Sequence, residues 1–251
     1  MDLWFAAAIA LSALVGLSLG LLGGGGSILA VPVLVYVAGV PPRAAIPMSL
    51  AIVGTTSLLA SAMHRAEGRV DPRTAVIFAA AGMVGAVGGS RLTPLVSPRT
   101  LLLSFGLLMI VVGAWMLAGG AKRVTEARVR PSTGRLVAAG VFVGVLTGFL
   151  GVGGGFLIVP ALVLFAGLSM PMAVGTSLVV IAANSAAAFA SHLDEASIDA
   201  LSTAAFTAAA VGGAWAGFKL SGRLPADRLK QLFATAVIAV GLFVTARNSI
   251  F

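Results

Sequence analysis

An all-α integral membrane protein made of two inverted copies of one helical unit is predicted by three observations. First, 59% of the 251 residues are apolar and only 10% are charged, with a mean hydropathy of +1.08. No water-soluble surface and core share such a composition. Second, no Lys, Arg, Asp or Glu occurs from Leu3 to Pro42 or from Leu136 to Ser191, and charge-free stretches of that length call for lipid. Third, the sequence repeats itself at a constant offset of 128 residues.

The repeat is read first in Gly23-Gly24-Gly25-Gly26-Ser27-Ile28-Leu29-Ala30-Val31-Pro32, matched by Gly151-Val152-Gly153-Gly154-Gly155-Phe156-Leu157-Ile158-Val159-Pro160. The same offset, without a gap, pairs Gly39 with Gly167, Ser49 with Ser177, Gly85-Ala86 with Gly213-Ala214, Arg91 with Lys219, Phe105 with Phe233 and Gly113 with Gly241. It also pairs His64 with His192, and these are the only two histidines in the chain.

Taken in order, the hydrophobic segments of the first copy are expected at about 3–22, 28–40, 43–63, 74–92 and 100–120. Those of the second are expected at about 136–150, 156–168, 171–191, 199–218 and 229–247. The second of each set is too short for a span of roughly 20 residues. Each of these two is therefore expected to be a half-helix or a steeply packed element, joined to its predecessor by a glycine-rich break. The expected organisation is a transmembrane repeat over 1–120, a basic cytoplasmic linker over 121–135 and an inverted repeat over 136–251. Together they form one transport-like unit.

Composition also excludes several classes. With no cysteine there is no disulfide framework, thiolate metal site or thiol nucleophile, and neither a cofactor nor a metal is expected. The net charge of +8 does not point to nucleic acid, because basic residues between apolar segments report membrane orientation. The segment starting Met1-Asp2-Leu3-Trp4 lacks a positive n-region and has an internal counterpart, so it is expected to be retained rather than cleaved. If the linker is cytoplasmic and the copies are opposed, loops 64–73, 121–135 and 219–230 carry twelve of the sixteen basic residues inward. Both termini then lie in the periplasm, with an inner-membrane location.

Non-helical backbone persists at membrane depth only inside protein or beside a watery cavity. The candidate site is accordingly Gly24, Gly25, Gly26 and Ser27 with Gly153, Gly154 and Gly155. A helix start carries a partial positive charge of about half an electron, and two starts brought together by a pseudo-two-fold axis would hold an anion on bare amides. Ser27 would cap its helix or donate to the ligand. The more scattered Gly82, Gly85, Gly88, Gly89, Gly212, Gly213 and Gly217 are read instead as close-packing residues.

A polar line runs alongside. Ser49 and Thr56, like Ser177 and Asn184, are seven apart and so about 20° from alignment on a helix. These four join the candidate solute-binding set, although serine and threonine in membrane helices also simply bond their own backbone. His64 and His192 follow eight residues on, at the ends of their spans. They are either wet interfacial imidazoles or gating, proton-linked groups. Arg91 and Lys219 either snorkel to the interface or draw anions into vestibules. No carboxylate falls in the interior of a predicted span, Asp199 standing at the first residue of its segment, which favours an anion over a cation as solute.

The runs Gly20-Leu21-Leu22-Gly23-Gly24-Gly25-Gly26-Ser27 through Pro32 and Gly148-Phe149-Leu150-Gly151-Val152-Gly153-Gly154-Gly155 through Pro160 resemble the doubled glycine-proline motif of the sulfite exporter TauE/SafE family. The resemblance extends over essentially the whole chain, departing from the fullest motif at Ser27. It implies a transporter rather than an enzyme, with a small sulfur oxyanion or sulfonate as substrate and export as the usual direction. Carrier or channel, export or uptake, proton coupling, the identity of the anion and the oligomeric state are left open by the residues alone.

Overall fold

The computed structural model describes residues 3–92, 95–118, 132–150, 155–190 and 199–249. The described residues form helices α1 (Leu3–Leu22), α2 (Ser27–Tyr36), α3 (Pro42–Ala66), α4 (Pro72–Ser90), α5 (Pro98–Leu117), α6 (Thr133–Leu150), α7 (Gly155–Phe165), α8 (Met170–Ala190), α9 (Ala200–Arg223) and α10 (Ala226–Ser249). A single 3-10 turn, Gly24–Gly26, joins α1 to α2. Six of these helices (α3, α4, α5, α8, α9 and α10) are long and apolar enough to cross a membrane. The helix starts and stops fall within a few residues of the expected segments.

Local chemistry explains the boundaries. Helix α4 starts where the Asp71 carboxylate accepts from the Thr74 amide at 3.2 Å, with Pro72 in the first turn where its missing N–H costs nothing. Ser97 does the same for α5 through the Thr100 amide at 3.2 Å, again followed by proline. Asp199 caps α9 by accepting from the Leu201 amide at 3.1 Å. Helices α2 and α7 stop just before Gly39 and Gly167, whose φ values of 68° and 65° are left-handed and disfavoured for any residue with a Cβ. At 10 and 11 residues these two helices are about 15 Å long, half the hydrocarbon thickness of about 30 Å.

The main helix crossings each join the first half of the chain to the second: α1 on α9, α4 on α6, α3 on α8 and α5 on α10. Glycine makes them possible. A Cβ on Gly16 or Gly20 would overlap the carbonyls of Ala210 or Ala214, and one on Gly213 or Gly217 would overlap Ala13 or Leu17. At the α4–α6 crossing Gly85, Gly89, Gly144 and Gly148 meet Val141, Val145, Gly82 and Ala86 in the same way. These eight glycines form four pairs that are 128 residues apart. Between lipid-facing helices there is no hydrophobic drive to associate, so close backbone approach and its dispersion contacts supply the adhesion.

Burial does not follow the pairing throughout. Helix α7 is buried from Gly155 to Val163, with Phe156 meeting Phe105 of α5 edge-on at 5.1 Å. Helix α2 is peripheral, with Leu29 40% and Tyr36 75% exposed. Large apolar side chains such as Leu14, Val84, Leu107, Phe142 and Phe243 also face outward, as a bilayer solvent requires.

Gly213→Ile should separate α1 from α9 and lower stability by about 1–3 kcal/mol, the usual cost of overpacking. Gly212→Ala, where nothing lies within 4 Å, should gain up to about 1 kcal/mol of helix propensity, both read by thermal unfolding in detergent. The Ser202 hydroxyl, 2.5 Å from Oδ2, and then the amides of Ser202 and Leu201 hold the Asp199 carboxyl below its ordinary value. A depressed acid stabilises the folded state above its unfolded pKa and loses that contribution as the pH falls through its folded value. Acidification should therefore fray the start of α9, seen as lower amide-exchange protection factors at Leu201 and Ser202 after correction for the intrinsic rate at each pH, and Asp199→Asn should abolish that pH dependence while keeping the cap.

Candidate functional site

The end of α1 is set by Gly23, whose amide donates to the Leu19 carbonyl at 2.8 Å and whose φ of 74° turns the chain out of the helix. The turn Gly24–Gly26 then leads into α2. The start of α7 meets this turn directly: a Cβ on Gly24 would fall on the Gly155 carbonyl group, and one on Gly155 would lie 2.9 Å from the Gly24 oxygen. The first break thus abuts the start of α7, and Gly23, Gly24, Gly26 and Gly155 are all buried. Gly153, Gly154 and His192 lie outside the described residues, while Gly25 sits within the 3-10 turn.

Ser27 departs from the expected cap. The residue at the N-cap of α2 is Gly26, and Ser27 occupies the first helical position, donating its hydroxyl to the Gly24 carbonyl at 2.8 Å. The proton is engaged locally, so towards any guest the Ser27 oxygen is an acceptor. Its Oγ also lies against Gly155, which ties the first break to the second.

The polar lines divide by chemistry. Ser49 donates to the Ile46 carbonyl at 2.7 Å and Ser177 to the Val174 carbonyl at 2.8 Å, the back-bonding open to any serine in a membrane helix. Ser177 nevertheless borders the site, because its Oγ would lie 2.6 Å from a Cβ on Gly23. Thr56 and Asn184 differ. Thr56 is 0% exposed with Oγ1 unpartnered, and the Asn184 Oδ1 is likewise buried without a partner. An unsatisfied buried polar atom costs about 1–3 kcal/mol, so two at matched positions need a reason.

His64 is not a wet interfacial group. It is 1% exposed, its Nε2 lies 3.1 Å from the Gly20 carbonyl, and its ring meets Phe218 edge-on at 4.9 Å. A carbonyl only accepts, so Nε2 carries the hydrogen and Nδ1 is left as a buried acceptor with no partner. The imidazole therefore links α3 to the last turn of α1, one turn before the first glycine break. Arg91 and Lys219 are both exposed and away from the breaks: Arg91 follows α4 as its C-cap, and the Lys219 ammonium sits 3.7 Å from the Trp215 ring centroid. The Lys219–Trp215 approach is a cation–π contact on the outer surface.

Three residues escaped the reading of the sequence. Ser57 is 0% exposed with Oγ unpartnered, one helical turn beyond Gly54, where α3 crosses α8 at Ser185. Thr176 accepts from the Asp71 amide at 3.0 Å, and Arg69 reaches Ser221 of α9. The signal for Ser57 was present, since the offset pairs it with Ser185. None existed for Arg69, whose counterpart is Ser197.

Thr56→Val removes a hydroxyl that satisfies nothing and should leave thermal stability unchanged or raise it by about 1 kcal/mol. Ser49→Ala, which removes a formed bond, should lower it by about 0.5–1.5 kcal/mol under the same detergent conditions.

Residues 8–244 match the model of a family described as sulfite exporter TauE/SafE. A probable membrane transporter protein of Xylella fastidiosa strain 9a5c is 38% identical over 244 residues, covering 94% of this chain and 92% of its own. The probable membrane transporter protein YdhB of Bacillus subtilis is 29% identical, covering 90% and 94%. No solved structure matches the chain.

Proposed function

The chain belongs to the TauE/SafE sulfite exporter family and is a multi-pass membrane transporter rather than an enzyme, and from that premise we propose that it moves small sulfur oxyanions or sulfonates out across the bacterial cytoplasmic membrane. One observation carries the reading: the first glycine break meets the start of α7 at Gly24 and Gly155, both buried. There, backbone meets backbone with no side chain between, through the carbonyl groups of Gly24 and Gly155, and the amides at the starts of α2 and α7 are the groups assigned to a negatively charged guest. Ser27 and Ser177 border it, and Thr56 and Asn184, whose buried oxygens have no partner, are assigned to the same polar lining. Gly25, Gly153, Gly154 and Ser49 complete the proposed binding set.

Alternating access is the proposed mechanism. Glycines at matched positions in the α1–α9 and α4–α6 crossings support dividing the chain into opposed units over 1–120 and 136–251, joined by a cytoplasmic linker at 121–135. Both termini are then periplasmic. Rocking one unit against the other would expose the breaks to each side in turn. His64 and His192 are assigned to the two gates.

The energetics suit export without ATP or a coupling ion. A potential of about 100 mV, negative inside, favours outward movement of a monoanion by roughly 2.3 kcal/mol, on the order of 50-fold in concentration. The purified protein in liposomes should carry labelled sulfite or a simple sulfonate in a saturable manner, faster when the loaded side is made electrically negative. Flux that is absent for every sulfur oxyanion would sink the substrate assignment, and single-channel currents would sink alternating access.

A further inference from the structure

Two cations stand apart from the rest. Among the described lysines and arginines whose side chains are placed, all are exposed except Arg69 and Lys230. Lys230 lies at the start of α10, while Arg69 sits in the short loop between α3 and α4. Its surroundings lead inward to the glycine breaks.

That loop is fastened at several points. Gly68, with φ 70°, turns the chain after α3, and the Arg69 amide donates to the His64 carbonyl at 2.9 Å. The Arg69 carbonyl packs on Gly175, where any Cβ would overlap it, and the Asp71 amide donates to Thr176 Oγ1. The guanidinium lies over bare backbone of α9. A Cβ on Gly222 would be 3.5 Å from one terminal nitrogen, and the other reaches Ser221 Oγ at 3.5 Å. One turn earlier on α9, Phe218 meets the His64 ring, and His64 holds the Gly20 carbonyl next to the first break. An unbroken series of contacts thus runs from Arg69 through His64 to the paired glycines.

The terminal nitrogen that faces Gly222 is occupied by Glu67, whose carboxylate oxygen lies 2.6 Å away. The arginine side chain is 24% exposed and the glutamate 43%. The partner free to swing into water is therefore the carboxylate, while the guanidinium is held by packing. A planar guanidinium offers paired N–H donors matched to a carboxylate, and an oxyanion of sulfur presents a similar spacing of oxygens.

Resting on the transport reading above, we propose that Arg69 is an entry site for the sulfur oxyanion, that Glu67 occupies it in the resting state, and that an arriving anion displaces Glu67 on its way past His64. Arg69 acts as a specificity-determining residue at the mouth of the path, ahead of the glycine breaks. The site belongs to one end of the protein only, since the matched position is the uncharged Ser197.

The chain has no cysteine, so Gly222→Cys introduces a single thiol in ordinary contact with the guanidinium. Its alkylation rate is measured in the purified full-length protein with increasing sulfite, against chloride at equal ionic strength. Sulfite should slow the reaction saturably and chloride should not. Adding Arg69→Gln should weaken this protection about tenfold or more, Arg69→Lys should weaken it less, and Glu67→Gln should tighten it several-fold, as expected for a charge-assisted pair. Glu67→Gln alters a half-exposed residue and serves as the informative variant should Arg69→Gln fail to fold. Protection unaffected by Arg69→Gln, or weakened by Glu67→Gln, would overturn the proposal. Flux without Arg69-dependent protection leaves the transport reading and removes the entry site, whereas protection without flux retains the site and removes the transport substrate.

Discussion

Inside hydrocarbon, a peptide group without a partner costs several kcal/mol, and a broken helix exposes several of them at once. The chain breaks its helix at Gly23–Gly26, and the start of α7 at Gly155 lies against that break. Gly24 and Gly155 approach so closely that neither tolerates a Cβ. Much of the surrounding structure follows from enclosing that contact. Helix α7 is buried along most of its length, Ser177 fills the space beside Gly23, and His64 holds the carbonyl of Gly20.

Glycine plays two different parts here. At Gly23, Gly39, Gly68 and Gly167 it supplies a left-handed backbone that turns the chain. At the α1–α9 and α4–α6 crossings it is helical and supplies absence, letting a carbonyl from the neighbouring helix occupy the place of a side chain. The distinction shows in adjacent residues: Gly89 and Gly213 are pressed against the opposite helix, whereas Gly88 and Gly212 meet nothing within 4 Å. The glycines read from the sequence as packing residues therefore include two that pack against nothing.

The polar residues show why part of the site was legible and part was not. Ser49, Thr56, Ser177 and Asn184 were found from spacing alone, but spacing could not separate the two that satisfy themselves from the two that do not. That depends on which carbonyls lie within reach of each side chain. His64 lies near the end of an apolar segment, which suggested water; the packing of α1, α8 and α9 around it leaves it dry. Arg91 and Lys219 drew attention because they are paired by the offset, yet both point outward. Arg69 has no charged counterpart, and only the fold brings it to α9 beside His64's aromatic neighbour.

By itself the sequence determined the membrane class, the helix boundaries to within a few residues, the position of the first break and the family. All of these are local or compositional: hydropathy acts segment by segment, caps and left-handed glycines act within a turn, and a repeated motif is visible as letters. The tertiary structure alone decided that the first break touches the start of α7, that α7 is central while α2 is peripheral, and that Arg69 rather than Arg91 or Lys219 approaches the interior. Those outcomes depend on how helices from distant parts of the chain cross. A helix that is apolar on every side carries no periodicity to announce which face will meet which neighbour.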